Sequence, residues 1–254
     1  MRKIFRKFLL ILICVSSSVS CTTQSKEEPA AKPENPIQNQ SKKERVDTLN
    51  ASVFCISIVP KGNIFKNKYS VGTAFLIGNG LLASAFHVQA KAGELAKTFE
   101  KNAYELIAWK TFDAVDYIHF PVELFVSDKT SDLAIYRFDD KALKENPKFS
   151  AIKPMRLAEN LPALGEEVVA VGYYGDYQFP FNSFGNVSMI DKNEDIVSDI
   201  TIMPGNSGAP ICSLETGEVL GITISVLDMG NDTVRFGIAK RAAKLRELLR
   251  KLGQ

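Results

Sequence analysis

The chain has 254 residues, 45% hydrophobic and 24% charged, with 16 Gly and 11 Pro. That is enough apolar material for a sizeable core, and it excludes a wholly disordered or collagen-like protein. The formal charge is +2 from 31 Lys and Arg against 29 Asp and Glu, and setting aside Arg2, Lys3, Arg6 and Lys7 leaves 27 bases against 29 acids, so the body of the chain has no electrostatic reason to bind nucleic acid.

Those four bases precede Phe8 to Val15, an uncharged apolar run too short to span a bilayer, and then small residues from Ser16 to Ser20. This is the anatomy of a signal peptide over residues 1–20. Ser18-Val19-Ser20-Cys21 resembles a bacterial lipobox, with Ser18 where such sites usually carry Leu. The resemblance implies cleavage before Cys21 and its acylation (palmitate and diacylglycerol chains), hence a lipoprotein of the bacterial envelope with the membrane as a partner. Residues 21–47 are almost devoid of large apolar side chains and read as a disordered tether, with the folded domain over 48–254. Cys14 would leave with the signal, so Cys55 and Cys212 remain. They read as two buried thiols, with one disulfide as the alternative in an oxidising compartment. Their spacing, with 2 His in the chain, does not suit a metal site.

Beyond Ser52 the pattern is short β-branched or aromatic runs between turn residues. Strands are expected at Val53 to Val59, Val71 to Ile77, Leu81 to Phe86, Leu133 to Phe138, Val168 to Val171, Ile200 to Met203 and Val219 to Val226. Many short strands predict an all-β sandwich or pair of barrels. Gly78-Asn79-Gly80 joins two of them as a tight hairpin, which delivers His87 to the end of a strand. Ala90 to Thr98 reads as helical, and the aromatic-rich stretch that follows as irregular. Ile238 to Leu252 carries Ile238, Ala242, Leu245, Leu248, Leu249 and Leu252 at helical spacing, a closing helix expected to dock its apolar stripe on the domain.

Chemistry concentrates at Pro204-Gly205-Asn206-Ser207-Gly208-Ala209-Pro210. A serine nucleophile needs a loop that exposes its hydroxyl while backbone N–H groups converge, and flanking glycines permit that geometry. A surface β-turn is the alternative for this segment taken alone. Both His87 and His119 precede Ser207, so the Ser-Asp-His order of the α/β-hydrolases is impossible. No Asp or Glu lies between Thr48 and Phe86, which disfavours an acid-first order with His87 as base. His-Asp-Ser remains, and among many acids Asp132 sits at the mouth of the apolar run Leu133-Ala134-Ile135-Tyr136. His119 reads as an ordinary loop or strand residue.

Ser84-Ala85-Phe86-His87-Val88, Asp132-Leu133-Ala134-Ile135 and Gly205-Asn206-Ser207-Gly208-Ala209-Pro210 resemble the three catalytic blocks of trypsin-like serine proteases, and Asn206 makes the bacterial HtrA/Deg-type branch the better match. Gly165 to Gly172 and Phe236 to Ala239 resemble the start and close of that family's second barrel. Phe86, in place of a small residue, and Ala209, in place of a common Gly, depart from the pattern. The resemblance implies two six-stranded antiparallel β-barrels, one over about 48–155 and one over about 156–236, followed by the helix 238–253. It implies a serine endopeptidase in which Ser207 is the nucleophile, His87 the general base and Asp132 its orienting acid. The N–H groups of Gly205 and Ser207 would form the oxyanion hole, and no cofactor or metal would be needed. The specificity pocket would be lined by Thr201, Ile202, Thr223, Ile224 and Ser225. With no acid at its base, small or medium apolar side chains before the cut bond are expected. Protein or peptide substrates follow, and with the chain ending at Gln254 soon after the catalytic domain, no PDZ module and a monomer are expected. The alternative is an inactive or latent homologue whose barrels bind protein without cutting it.

Overall fold

In the computed structural model the described residues are 40–62, 68–98, 103–112, 117–175, 177–228, 235–251 and 253. The signal-peptide stretch, Cys21 and residues 22–39 of the expected tether lie outside them.

The run Val53-Phe54-Cys55-Ile56 owes its lack of polar alternation to burial on both sides. It opens β1 (Val53–Pro60), in which Phe54, Ile56 and Ile58 point into the first barrel while Val53, Cys55 and Val59 face a core shared with the second. β2 (Tyr69–Gly78) and β3 (Leu81–Ala85) form the expected hairpin, with Asn79 at φ 51° and Gly80 at φ 69° in its turn. These are the conformations that the Asn-Gly pair accepts at low cost. Helix α2 (Phe86–Thr98) follows, then β4 (Tyr104–Thr111), β5 (Tyr117–Asp128) and β6 (Leu133–Phe138). The order β1-β2-β3-β6-β5-β4 closes into a barrel. Its interior includes an edge-on aromatic group, Phe54, Phe120, Phe138 and Phe149, with centroids 4.9 Å apart for Phe138 and Phe149.

Two short helices, α3 (Asp140–Glu145) and α4 (Pro147–Ser150), lead across to the second barrel. It comprises β7 (Glu167–Gly172), β8 (Phe181–Ile190), β9 (Ile196–Ser198), β10 (Pro210–Ser213), β11 (Val219–Asp228) and β12 (Arg235–Arg241), closed in the order β10-β11-β12-β9-β8-β7. Val168-Val169-Ala170-Val171 repeats the logic of β1. Val168 and Ala170 lie in the barrel interior, and Val169 and Val171 in the shared core. Two strands buried on both faces therefore join the barrels, each fully buried aliphatic side chain contributing roughly 1.5–3 kcal/mol.

Several expectations need correction. The aromatic-rich stretch is not irregular: β5 alternates buried Ile118, Phe120 and Val122 with exposed Tyr117, His119 and Pro121. Ile200 to Met203 is not a strand, because it leaves the barrel to enter the Gly205 loop. The closing helix, α5 (Ala242–Arg250), starts later than 238, since Ile238 and Ala239 pair with both β9 and β11. Its docking is as expected: Ala242, Leu245 and Leu248 are buried, and Arg246 donates to the carbonyls of Ala158 and Glu159. Cys55 and Cys212 are buried thiols with no disulfide between them.

The expected tether also runs too far. Residues 42–47 begin α1 (Lys42–Ala51), which Ser41 caps: its Oγ accepts from Glu44 N while the Glu44 carboxylate accepts from Ser41 N. Only Val46 and Leu49 are buried, too few for a visible apolar stripe. Polar contacts to each barrel fasten the helix instead. Arg45 donates to the carbonyls of Leu214 and Glu215, and Lys110 to those of Asn50 and Ala51.

Candidate active site

β3 ends at Ala85, so His87 lies in the first turn of α2, one step past the strand end expected from sequence. A helix leaves its first N–H groups without partners, and here Asp132 supplies them. Its carbonyl accepts from Phe86 N at 3.1 Å and its Oδ1 from His87 N at 2.9 Å. The other carboxylate oxygen, Oδ2, lies 2.8 Å from His87 Nδ1. Phe86, for all its bulk, leaves this pair intact. Asp132 holds a left-handed backbone at φ 53°, between β5 and β6, in a turn tightened by the Asp128 carboxylate, which accepts from Thr130 N and Ser131 N. A carboxylate at Nδ1 favours the tautomer with hydrogen there and leaves Nε2 as an acceptor. The two side chains are 40% and 27% exposed, accessible enough to meet a substrate.

Ser207, half-buried, lies in the loop before β10. Two glycines bring its loop to the end of β3 and the first turn of α2. Gly208 adopts φ 84°, and a Cβ there would lie 2.2 Å from Ser84 Oγ and 3.0 Å from Ala85 N. The serine loop therefore abuts the end of β3, two residues before the histidine. A Cβ on Gly72 would lie 2.5 Å from Val88 Cγ2 and 2.9 Å from the Ser207 carbonyl oxygen, so the residues following His87 and Ser207 itself meet over one bare backbone position.

The peptide units around Ser207 have fixed directions. In a planar trans peptide the C=O and N–H point opposite ways. The Pro204 carbonyl accepts from Gly175 N at 3.2 Å, which turns the Gly205 N–H away from that contact. The Asn206 carbonyl accepts from Ala209 N at 2.8 Å, which does the same for the Ser207 N–H. Asn206 N donates to Met203 O and Gly208 N to Thr223 O, while the N–H groups of Gly205 and Ser207 have no protein acceptor among the described residues. Two free donors alternating with bonded ones form an arrangement that can receive an oxyanion.

The expected specificity residues divide. Ile202 is half-buried against Gly237, whose missing Cβ leaves room for it: a Cβ there would lie 2.8 Å from Ile202 Cγ1. Thr223 is buried, bonded through its backbone to Gly208 and Ala209. Ile224, at a bulge in β11, packs against the first-barrel core instead, and Thr201 and Ser225 are exposed. His119 is exposed on β5 beside Tyr117, paired with Trp109 of β4 and separated from β3 by β6.

Sequence reasoning missed two residues that shape this loop. The Asn206 side chain accepts from Met203 N at 2.9 Å and donates to the Tyr173 carbonyl at 3.1 Å. Thr73, on β2, donates its N–H to the Ser207 carbonyl at 2.8 Å. Gly72 beside Thr73 was the available signal for a close backbone approach.

The chain is 28% identical over 175 residues to a probable periplasmic serine endoprotease, DegP-like, of Pseudomonas fluorescens, an alignment covering 66% of this chain and 32% of that protein. A protein of the same description from Hahella chejuensis is 29% identical over 62% of this chain and 30% of its own length. The chain thus spans about a third of the length of the curated relatives it matches. The crystal structure of the serine endoprotease from Yersinia pestis superposes with a TM-score of 0.60 at 18% identity, over 84% of this chain and 66% of that one, a likeness of fold. The model of the trypsin-like peptidase domain matches residues 72–222, more than half of the sequence and the span that holds His87, Asp132 and Ser207; on that match and its two closed barrels, the chain belongs to the trypsin-like peptidase family.

Proposed function

We propose that the chain is a serine endopeptidase. The observation that supports this reading is the His87–Asp132 pair, with the loop of Ser207 packed against the end of β3 and against Gly72 beside Val88. Ser207 Oγ attacks the scissile carbonyl as its proton passes to His87 Nε2, and Asp132 stabilises the imidazolium. The oxyanion is received by the N–H groups of Gly205 and Ser207. The same proton goes to the leaving amine, and water then repeats the sequence to release the acyl group. No step calls on a metal or cofactor.

Ile202, in the segment before the serine, packs over Gly237, an apolar side chain that supports small or medium apolar residues before the cut bond. The N-terminal sequence and the periplasmic naming of the relatives support a place in the bacterial envelope, with lipid on Cys21 as the tether and accessible or unfolded proteins as substrates. The test is labelling of the soluble portion with a fluorophosphonate. One activated serine is expected to react, and Ser207→Ala to remove the label with the fold retained. Failure of the folded wild-type protein to label and to cut peptides would overturn the reading.

A further inference from the structure

We propose that Thr73 is a positioning residue for the oxyanion loop, holding it from the opposite barrel. This rests on the endopeptidase reading and adds a residue that neither the three catalytic blocks nor the sequence analysis includes. Thr73 uses every polar group it has at the seam between the barrels. Its Oγ1 donates to the Gly205 carbonyl at 2.7 Å and accepts from Tyr173 N at 2.9 Å. Its N–H donates to the Ser207 carbonyl at 2.8 Å, and its own carbonyl accepts from Ser84 Oγ at 2.6 Å.

The consequence follows peptide by peptide. Gly205 has φ 103°, in the region that costs glycine least and leaves it most freedom to move. On its N-terminal side, the Pro204–Gly205 peptide is oriented by Gly175 N, two residues beyond the Tyr173 N–H that Thr73 accepts. On its C-terminal side, the Gly205–Asn206 peptide is oriented by the Thr73 hydroxyl itself. One side chain therefore contacts the start of the segment that orients the first peptide and holds the carbonyl of the second, whose N–H donates to Met203 O. Gly172 leaves room for this clamp, since a Cβ there would lie 3.2 Å from Thr73 Oγ1 and 2.8 Å from Asn206 Nδ2. Ser84, three residues before His87, closes the connection to the base. The hydroxyl keeps the Gly205 N–H aimed where negative charge develops, so its value is greatest in the transition state.

Thr73→Val keeps the shape and removes the hydroxyl, whereas Thr73→Ser keeps the hydroxyl. With a fluorogenic peptide bearing Val before the cut bond, Thr73→Val is expected to lower kcat by about tenfold or more with KM changed less than about threefold, and Thr73→Ser to restore most of it. A peptide boronic acid ending in boronovaline, whose adduct places an oxygen in the hole, should bind Thr73→Val more weakly by a factor similar to the loss in kcat. The corresponding carboxylic-acid product peptide should bind both forms alike. Unchanged kcat in Thr73→Val, equal losses in the Ser and Val variants, or equal weakening of both inhibitors would overturn the proposal. So would unfolding of Thr73→Val and Thr73→Ala alike, which would mark a purely structural residue. A wild type that neither labels nor cuts overturns the endopeptidase reading and this proposal with it; an active wild type matched by Thr73→Val overturns this proposal alone.

Discussion

Asp132 gives both of its carboxylate oxygens to one residue, Oδ1 to the main-chain N–H of His87 and Oδ2 to its ring. An asparagine can keep only one of those bonds as an acceptor. If its oxygen stays on the His87 N–H, its amide group faces Nδ1 as a donor and moves the ring hydrogen to Nε2, where no base remains. Asp132→Asn is therefore expected to lower kcat by about 10⁴ while circular dichroism and melting temperature stay close to wild type. An undiminished rate at neutral pH would overturn this assignment. A second expectation concerns the pocket. Ile202→Ala removes the side chain that lies over Gly237, so the ratio of kcat/KM for peptides with Phe or Leu before the cut bond to those with Ala or Val should rise by about tenfold. At this scale the order of residue types pointed to His87 and Asp132 as partners, and the structure brings the two to hydrogen-bond distance. The sequence was silent about Thr73 and the Asn206 amide, whose partners lie across the fold. No local pattern marks a threonine that bonds to a carbonyl in the other barrel.

Helix α1 shows how an element can be part of a fold without an apolar signature. Lys110 is 3% exposed, and it points its ammonium at the last carbonyls of α1 with the rings of Phe54 and Phe112 within 5.6 Å. Burial pushes its pKa from 10.5 down to about 8. Between those two values the unfolded chain binds more protons than the folded one, so this group makes stability rise with pH across that window. Lys110→Met removes the desolvation of the charge along with the capping bonds. The variant should compare best with wild type at pH 7 and lose ground by pH 10. Melting temperatures of both proteins at the two pH values check this, and a difference independent of pH would refute it. The same helix explains why the domain boundary was placed too late in the sequence: its stability comes from a capping box and two cations, and hydropathy sees neither. β5 was missed for the opposite reason. Its alternation was present, but Pro121 and the surrounding aromatic residues obscured a period that the barrel makes plain. The closing helix was placed too early because Ile238 fits a helical stripe as well as it fits β12, and only pairing with β9 and β11 decides between them.

For the molecule as a whole, the many short strands left a sandwich or a pair of barrels open, and the resemblance of the three blocks implied the barrels; β1 and β7, whose apolar runs are covered on both faces, join them. The proposed attachment to the envelope, lipid on Cys21, lies outside the described residues. Among the described residues, no helix is long and apolar enough to cross a membrane. In a bacterial host grown with labelled palmitate, the full chain should incorporate label and sediment with membranes, and Cys21→Ser should do neither. Because α1 is fastened to both barrels by Arg45 and Lys110, loss of the lipid has no route to the active site through a loosened helix. Cys21→Ser should therefore cut small peptides with the same kcat/KM as wild type while cutting membrane-associated proteins more slowly. Membrane association that survives Cys21→Ser would place the attachment elsewhere, and a changed rate on small peptides would show that the anchor and the catalytic domain are coupled.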